Sequence, residues 1–435
     1  MAIWKWGVVS VPALSGFSFG LHRLTTNSQL TPLPKKLVSL KNKQLTKKNS
    51  EKISIKQEAN SAFKKLNDYT FKIFSSCDSG TGWILDYQLP EEGKYPTTWY
   101  IATNAHVVRK WLFDSNPYEQ KLPISNKSRS KNTQLTKLAS QYPLSTTASC
   151  HFAKNYGIFD LNLSKQSSGR SLKSNWGAIS QNKIKNYRLF WVATDLFDKN
   201  VNWEIKKNNY KDFAVIEIEF KNEKSAKEIT RNFANKYTTN SKNMINIFGD
   251  PLDTKTISKN NDNFYSLGYP GYKDDIFKYS NNWNESKLRA DRLSRDLENR
   301  YSSKESKLKG HVASKRFANL KLNWGGEELN RMGHFYLLEG TPLGKGSSGS
   351  MVIDGSGNLV AVKSIGEQGV KAKNSMSIPL RSKELVVEGN FKTPQYDLIL
   401  GAPLQKSSYK QQVQKFLQSK GINTWLSSMD WKSKS

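Results

Sequence analysis

Cysteine is scarce in this chain of 435 residues, and the two cysteines present, Cys77 and Cys150, match no metal-binding spacing and no Cys-x-x-Cys motif. Structural zinc sites and thiol redox chemistry both depend on such spacings, so the sequence supports neither. Whether the two thiols pair with each other or stay free is left open by the sequence.

Long apolar runs are also few. Residues 1–21 contain one lysine, Lys5, near their start and then an uncharged apolar stretch that Pro12 interrupts. This stretch is marginal for a bilayer span, which takes about 20 apolar residues, and it lacks the cysteine of a lipoprotein signal and an obvious cleavage site. The pattern predicts an exported or cell-surface protein, with membrane attachment through the N-terminus. A cytoplasmic location is the alternative.

Acidic residues are under-represented, with 37 Asp and Glu against 67 Lys and Arg, which gives a net charge of +30. Such an excess would ordinarily indicate nucleic acid or an anionic membrane as a partner. Here the excess is spread through Lys-, Asn- and Ser-rich segments, and no motif that reads bases is present. Diffuse charge supplies only sequence-independent attraction, so we predict no specific nucleic-acid partner.

The remaining pattern is typical of a mainly β protein. Short runs of alternating apolar and polar residues are separated by long polar segments, which predicts an all-β core, sandwich or barrel, with helical decorations. Strands are predicted over 70–74, 80–87, 98–103, 187–194 and 212–220, and helices over 56–66, 224–236, 283–301 and 408–418. The predicted organisation is an N-terminal apolar segment and basic tether over 1–65, a β domain over 66–405 with insertions near 113–200 and 275–330, and a C-terminal helix and tail over 406–435.

One loop stands out as a candidate nucleophile site. Gly346-Ser347-Ser348-Gly349-Ser350 places a serine between glycines immediately before an apolar strand pattern. A serine hydroxyl becomes a nucleophile when a neighbouring base takes its proton and when backbone N–H groups converge on the oxyanion that forms. Glycine- and serine-rich turns are also ordinary hairpin connections, so the loop by itself is weak support for catalysis.

His106 is the candidate base, because it follows a predicted strand among small and polar residues. An imidazole in this role needs a carboxylate on its other ring nitrogen, and Asp212, at the start of an alternating apolar strand, is the first candidate, with Asp160 the second. The alternatives without catalysis are that His106 only begins a helix and that Asp212 only caps a strand. The other four histidines are predicted to be structural or exposed: His22, His151, His311 and His334.

Four motifs then occur in the order and strand context of the trypsin-like serine proteases, particularly the bacterial high-temperature-requirement branch. These motifs are Gly80–Asp86, Tyr100–Val108, Asp212–Ile216 and Gly346–Ser350. With the Lys/Asn-rich insertions and the Asp-Phe-Ala-Val and Gly-Ser-Ser-Gly-Ser forms, the chain resembles the mycoplasma immunoglobulin protease family from about Phe71 to Gly401. The Ser348 loop departs from the usual serine protease motif at two positions. Ser347 replaces the usual acidic or amide residue before the nucleophile, and Ser350 replaces a glycine after Gly349.

The resemblance implies a chymotrypsin-like double β-barrel with a His106–Asp212–Ser348 triad at the junction of the barrels, and no metal or organic cofactor. It further implies an oxyanion hole formed by the N–H groups of Gly346 and Ser348. The implied substrate-binding residues are Pro342, Leu343, Ser364, Ile365 and Gly366.

The function implied by the resemblance is a serine endopeptidase that acts through an acyl-enzyme intermediate on a protein substrate, the immunoglobulin heavy chain. A separate immunoglobulin-binding protein would first capture the antibody. The alternative is a catalytically inactive surface binding protein of the same fold, because a fold does not by itself establish an activity.

Overall fold

The computed structural model of the chain describes residues 57–58, 61–75, 79–113, 115–124, 153–159, 183–203, 205–238, 243–252, 264–268, 321–338, 346–366, 375–387 and 391–433. The N-terminal apolar segment, both cysteines and the predicted helix over 283–301 lie outside these residues. No helix within the described residues is long and apolar enough to cross a membrane.

The expectation of a mainly β protein is confirmed. The strands are β1 Thr70–Ser75, β2 Ser79–Tyr87, β3 Thr98–Thr103, β4 Trp111–Leu112, β5 Ala153–Phe159, β6 Ile184–Thr194, β7 Asn209–Phe220, β8 Phe264–Ser266, β9 Lys321–Trp324, β10 Glu327–Arg331, β11 Tyr336–Leu338, β12 Met351–Asp354, β13 Leu359–Gly366, β14 Ser375–Pro379, β15 Arg381–Ser382, β16 Leu385–Val387, β17 Phe391–Thr393 and β18 Tyr396–Asp397. All five strands predicted from alternation are present.

The helices are short and peripheral. They are α1 over residues 61–69, α2 Ala105–Val108, α3 Glu223–Ile229, α4 Phe233–Lys236, α5 Tyr409–Phe416 and α6 Trp425–Ser428, with a 3₁₀ turn at Gln418–Lys420. The predicted C-terminal helix is confirmed as α5. The described elements belong to one compact unit, Ile53–Ser435, and the predicted domain boundaries stay predictions.

The single helix predicted over 224–236 is wrong, because the chain breaks it into α3 and α4. Arg231 and Asn232 between them take left-handed backbone conformations, with φ of 55° and 58°. The Arg231 guanidinium donates to the carbonyls of Asp68 and Thr70, at 3.1 and 3.2 Å. A tertiary contact therefore ends a helix that the local pattern would continue.

Strand β7 is the centre of the larger sheet. That sheet has nine strands, in the order β4-β5-β1-β2-β3-β7-β10-β9, with β6 also paired to β7. β7 runs antiparallel to β3 and β6 and parallel to the end of β10, and its side chains are buried along almost its whole length. A charged side chain buried in such a strand needs polar partners, and Asp212 near the start of β7 is one of several.

The second sheet has five strands, in the order β11-β14-β13-β12-β8. Residues of both sheets share one buried apolar cluster, to which β7 contributes Val215 and Ile216 and to which β12 and β13 contribute Met351 and Val362. Register shifts interrupt several strand pairs, including β2 with β3 and β13 with β14. Such bulges bend strands and curl the sheets.

The C-terminal segment is held to the larger sheet by a buried carboxylate, Asp86 of β2. Asp86 accepts from the N–H groups of Tyr87 and Leu426, at 2.9 and 3.0 Å, and from the Tyr409 hydroxyl at 3.0 Å. Burial raises the pKa of Asp86 to about 7, even though these donors act in the opposite direction. The folded protein therefore binds a proton here at pH values where the unfolded chain does not.

This raised pKa predicts a pH-dependent stability. The contribution of Asp86 is fully present below its unfolded pKa near 4 and is lost as the pH rises to about 7, because only the folded state is still protonated between these values. A shift of this size corresponds to something on the order of 4 kcal/mol. Denaturant unfolding between pH 4 and 8 should show this fall in the free energy of unfolding.

Asp86→Asn should flatten the pH dependence of the free energy of unfolding, since an amide can keep the same neighbours without titrating. The matched control is Asp430→Asn, which changes an exposed carboxylate in the C-terminal segment that Asp86 holds to the sheet. If the free energy of unfolding of Asp86→Asn changes with pH as steeply as that of wild type, the prediction is wrong.

Candidate active site

His106 and Asp212 form a direct pair. β3 ends at Thr103, and the chain turns through Asn104 into helix α2, which carries His106. The Asn104 side-chain amide donates to the Asp212 carbonyl at 2.7 Å, and the His106 N–H donates to Asp212 Oδ1 at 2.8 Å. His106 Nδ1 lies 2.6 Å from Asp212 Oδ2. Backbone and side chain together therefore orient the imidazole against the carboxylate.

The two partners differ in exposure. The Asp212 side chain is fully buried, while that of His106 is 30% exposed. A ring whose Nδ1–H donates to a carboxylate keeps Nε2 as an acceptor, which is the tautomer that a general base requires.

Asp212 is ionised in the folded protein. Burial by itself would raise its pKa, but the charge and hydrogen bond of His106, the charge of Arg331 and the hydroxyl of Ser364 outweigh burial and hold the pKa well below its usual range. Ser364 Oγ donates to Asp212 Oδ2 at 2.5 Å, and Arg331 Nη2 lies 3.4 Å from the same oxygen. The carboxylate therefore keeps its charge across the pH range in which proteins stay folded.

Ser364 connects this pair to Ser348. Its carbonyl accepts from Ser348 Oγ at 3.1 Å, while its own hydroxyl donates to Asp212. The pairing of β13 with β14 shifts register between Lys363 and Ile365, so Ser364 lies at a bulge. A bulge changes the direction in which a residue presents its polar groups, which explains how one residue contacts both sides of the site.

The predicted nucleophile and base are not hydrogen-bonded to each other in this conformation. Among the described residues, the Ser348 hydroxyl donates to Ser364 and not to His106. Catalytic hydrogen bonds are often long or unformed in ligand-free sites and tighten when substrate binds. The structure thus brings His106 and Asp212 together and ties Ser348 to them through Ser364.

The loop around Ser348 packs closely against β2 and needs glycine at two positions. Gly346 and Gly349 both have φ of +93°, a conformation that favours glycine. A Cβ at Gly349 would lie 1.9 Å from the Thr81 carbonyl oxygen, and the Thr81 N–H donates to the Ser348 carbonyl at 2.7 Å. Within the described residues, neither the Gly346 N–H nor the Ser348 N–H donates to a backbone carbonyl.

The two departures from the protease pattern, Ser347 and Ser350, are both buried and hydrogen-bonded. Ser350 Oγ donates to the Ser347 carbonyl at 2.6 Å, and Lys363 Nζ donates to Ser347 Oγ at 2.5 Å. The Lys363 carbonyl also accepts from the Gly349 N–H at 2.8 Å. Burial lowers the pKa of Lys363 to about 7. Lys363 thus contacts the residues on both sides of Ser348 and stabilises the loop.

The other predicted site residues have mixed outcomes. Ser364, Ile365 and Gly366 lie together on β13, beside the Ser348 loop. Pro342 and Leu343, the predicted specificity residues, lie outside the described residues, as does the second candidate carboxylate, Asp160.

Sequence reasoning missed three contributors: Asn104, Arg331 and Lys363. Asn104 stands next to the candidate base, so its position was a usable signal. Arg331 is separated from Asp212 by 119 residues, and the Glu-Glu-Leu-Asn-Arg stretch that carries it has no catalytic pattern. Only the pairing of β10 with β7 brings it to the site.

Comparison with known proteins shows two similar lipoproteins. A membrane-associated lipoprotein of Ureaplasma parvum is 24% identical over 80% of this chain and 49% of its own length. An uncharacterized lipoprotein of Mycoplasma genitalium is 24% identical over 65% of each chain. The chain therefore spans about half of one relative and about two thirds of the other.

A solved structure, described as that of the mycoplasma MIB and MIP proteins, matches 80% of this chain and 59% of its own at 17% identity and a TM-score of 0.44. A similarity at this level carries no argument about the site. The model of the mycoplasma immunoglobulin protease family matches residues 36–364, which is most of the chain and includes His106, Asp212 and Ser348. The chain therefore belongs to the mycoplasma immunoglobulin protease family.

Proposed function

We propose that the chain is a serine endopeptidase with Ser348 as nucleophile, His106 as general base and Asp212 as the orienting carboxylate. The observation that carries this proposal is the buried Asp212 carboxylate, hydrogen-bonded to the imidazole of His106 and joined through Ser364 to the Ser348 hydroxyl. A buried acid that orients a partly exposed histidine, beside a serine on a glycine-rich loop, is the arrangement that nucleophilic catalysis by serine requires.

In the proposed mechanism, the Ser348 hydroxyl leaves the Ser364 carbonyl and turns to His106. His106 takes the hydroxyl proton as Ser348 Oγ attacks the scissile carbonyl, and it returns the proton to the leaving amine. The N–H groups of Gly346 and Ser348 stabilise the oxyanion, each by an amount on the order of 10²–10³ in rate. Water, activated by the same histidine, then hydrolyses the acyl-enzyme.

The finer assignments follow the family resemblance and are proposals as well. We infer a chymotrypsin-like double β-barrel, with the two sheets as the curled walls and the site at their junction. The proposed substrate is the immunoglobulin heavy chain, presented by a separate immunoglobulin-binding protein. The proposed location is the cell surface, which the lipoprotein names of both relatives support.

A second candidate function is an inactive binding protein of the same fold. The observation in its favour is that the Ser348 hydroxyl donates to the Ser364 carbonyl and not to His106 among the described residues. In this candidate, the resting arrangement is permanent and Ser348 never becomes a nucleophile.

Labelling with a small fluorophosphonate distinguishes the two candidates, because this reagent forms a stable covalent bond only with an activated serine. We expect the folded wild-type protein to be labelled at Ser348, as located by peptide mass spectrometry. His106→Ala should lower the labelling rate by about 10²–10⁴, the contribution of a positioned base. His311→Ala, which changes a histidine without an assigned role, is the matched control. Absence of label in folded protein, or equal rates with His106→Ala, would support the inactive binding protein.

A further inference from the structure

Arg331 makes an additional contact with the candidate triad that the sequence motifs do not contain. The end of β10 runs parallel to β7, with Arg331 beside Tyr210, so its side chain reaches Asp212 two residues further along. Its Nη2 lies 3.4 Å from Asp212 Oδ2, the same oxygen that contacts His106 and Ser364. One carboxylate oxygen is thus shared between the imidazole, a hydroxyl and a guanidinium.

The guanidinium is positioned by one hydrogen bond and two aromatic rings, while its buried Nη1 has no hydrogen-bond partner among the described residues. Its Nε donates to the Tyr210 hydroxyl at 3.1 Å, and its central carbon lies 5.4 Å from the Tyr210 ring centroid and 5.2 Å from that of Phe335. The Arg331 side chain is 8% exposed, and within the described residues Asp212 is its one ion-pair partner. A cation held between two rings and buried from water keeps much of its electrostatic effect on its neighbours.

The charged and titratable groups around this contact come from four elements. β7 contributes Tyr210, Asp212 and the buried Lys211, whose Nζ donates to the His334 carbonyl at 3.3 Å. Burial and the charge of Arg331 lower the pKa of Lys211 well below its ordinary value. α2 contributes His106, and β13 contributes the neutral hydroxyl of Ser364. Arg109, at the end of α2, adds a second positive charge that acts on Tyr210. Arg331 of β10 is the guanidinium in direct contact with the Asp212 carboxylate.

We propose that Arg331 is a positioning residue of the triad that holds the Asp212 carboxylate in place and shares its charge. This proposal rests on the proposed protease function. A carboxylate already paired with a guanidinium attracts a second cation less strongly, so removal of the Arg331 charge should favour protonation of the imidazole relative to wild type. The cost of the Arg331 charge is weaker stabilisation of the imidazolium that forms during the reaction.

The test is the pH dependence of fluorophosphonate labelling between pH 5 and 9, in wild type, Arg331→Met and Arg331→Lys. Methionine keeps length and apolar packing without charge, and lysine keeps a charge. The labelling rate should fall at acidic pH as the histidine is protonated. We expect Arg331→Met to raise the pH at the midpoint of this fall by about 1 unit, the size expected for loss of one nearby cation in a partly screened site. Arg331→Lys should stay near the wild-type midpoint. A residue that only supports the fold would change the amount of active protein and leave the midpoint where it is.

An unchanged midpoint in folded Arg331→Met would overturn the proposal. If circular dichroism shows that this variant does not fold, Tyr210→Phe replaces it, because that change removes the hydrogen bond to Arg331 Nε and loosens the guanidinium while keeping the ring contact. Its midpoint should rise by a smaller amount, and an unchanged value would likewise overturn the proposal. Failure of the protease function itself gives a different result, namely no labelling of the wild-type protein at any pH.

Discussion

Ser348→Ala is expected to abolish covalent labelling and to lower kcat on a cleaved protein substrate by a factor on the order of 10⁶, the loss typical of removing a serine nucleophile. The reason is chemical, since alanine has no oxygen that can form the acyl-enzyme. The fold should be unaffected, because the Ser348 hydroxyl makes a single hydrogen bond, to a carbonyl, among the described residues. Thermal unfolding midpoints within about 2 °C of wild type would show this.

The measurement is digestion of immunoglobulin G, with fragments identified by mass spectrometry and initial rates taken from intact-chain loss. Ser356→Ala is the matched control, because it removes an exposed serine from the neighbouring β12–β13 turn. Cleavage of any protein substrate that is equally fast in Ser348→Ala would assign the activity to another group. If immunoglobulin G alone remains intact while Ser348 is labelled, the digestion is repeated with the antibody bound to the separate immunoglobulin-binding protein. A heavy chain that stays intact there as well would show that the proposed substrate is wrong, while Ser348 remains a reactive serine.

Asp212→Asn is expected to lower kcat by about 10⁴ with little change in KM, the effect known for loss of the orienting carboxylate in serine proteases. An amide cannot stabilise the imidazolium, and its NH₂ group can direct a hydrogen atom at His106 Nδ1, which selects the wrong tautomer. The NH₂ group would also face the guanidinium of Arg331, which can only donate, so a contact that is favourable in the wild type becomes a clash of donors.

The ionisation of Asp212 makes this variant informative about stability as well. A carboxylate whose folded pKa is held well below its unfolded value contributes stability above the unfolded pKa, and this contribution is lost as the pH falls through the folded value. Asp212→Asn should therefore be less stable than wild type at pH 7 and closer to it at acidic pH. Asp195→Asn, which changes a largely exposed carboxylate, is the control. A variant with wild-type kcat at pH 7 would remove Asp212 from the mechanism.

Much of the fold and the site could be predicted from local pattern. The alternation of Asp212–Phe220 predicts a strand, because side chains alternate across a sheet whatever the rest of the chain does. That this strand is buried on both faces, including Glu217, was decided by the tertiary structure. His106 and the Ser348 loop were recognisable since a strand end and a glycine-rich turn are local structures. The predicted helix over 224–236 failed because Arg231 reaches carbonyls more than 160 residues earlier in the chain, and local pattern contains nothing of that contact.

By itself, the sequence determined the five strands with clear alternation, the three candidate catalytic residues and the family to which they point, because each depends on neighbouring residues. Only the tertiary structure decided which side chains of the site contact each other. Ser364 bonds both Ser348 and Asp212 from a bulge, Lys363 contacts Ser347, and Arg331 contacts the Asp212 carboxylate. The physical reason is distance along the chain. Electrostatic partners act through space, and β10 and β13 reach β7 only after the sheets have formed.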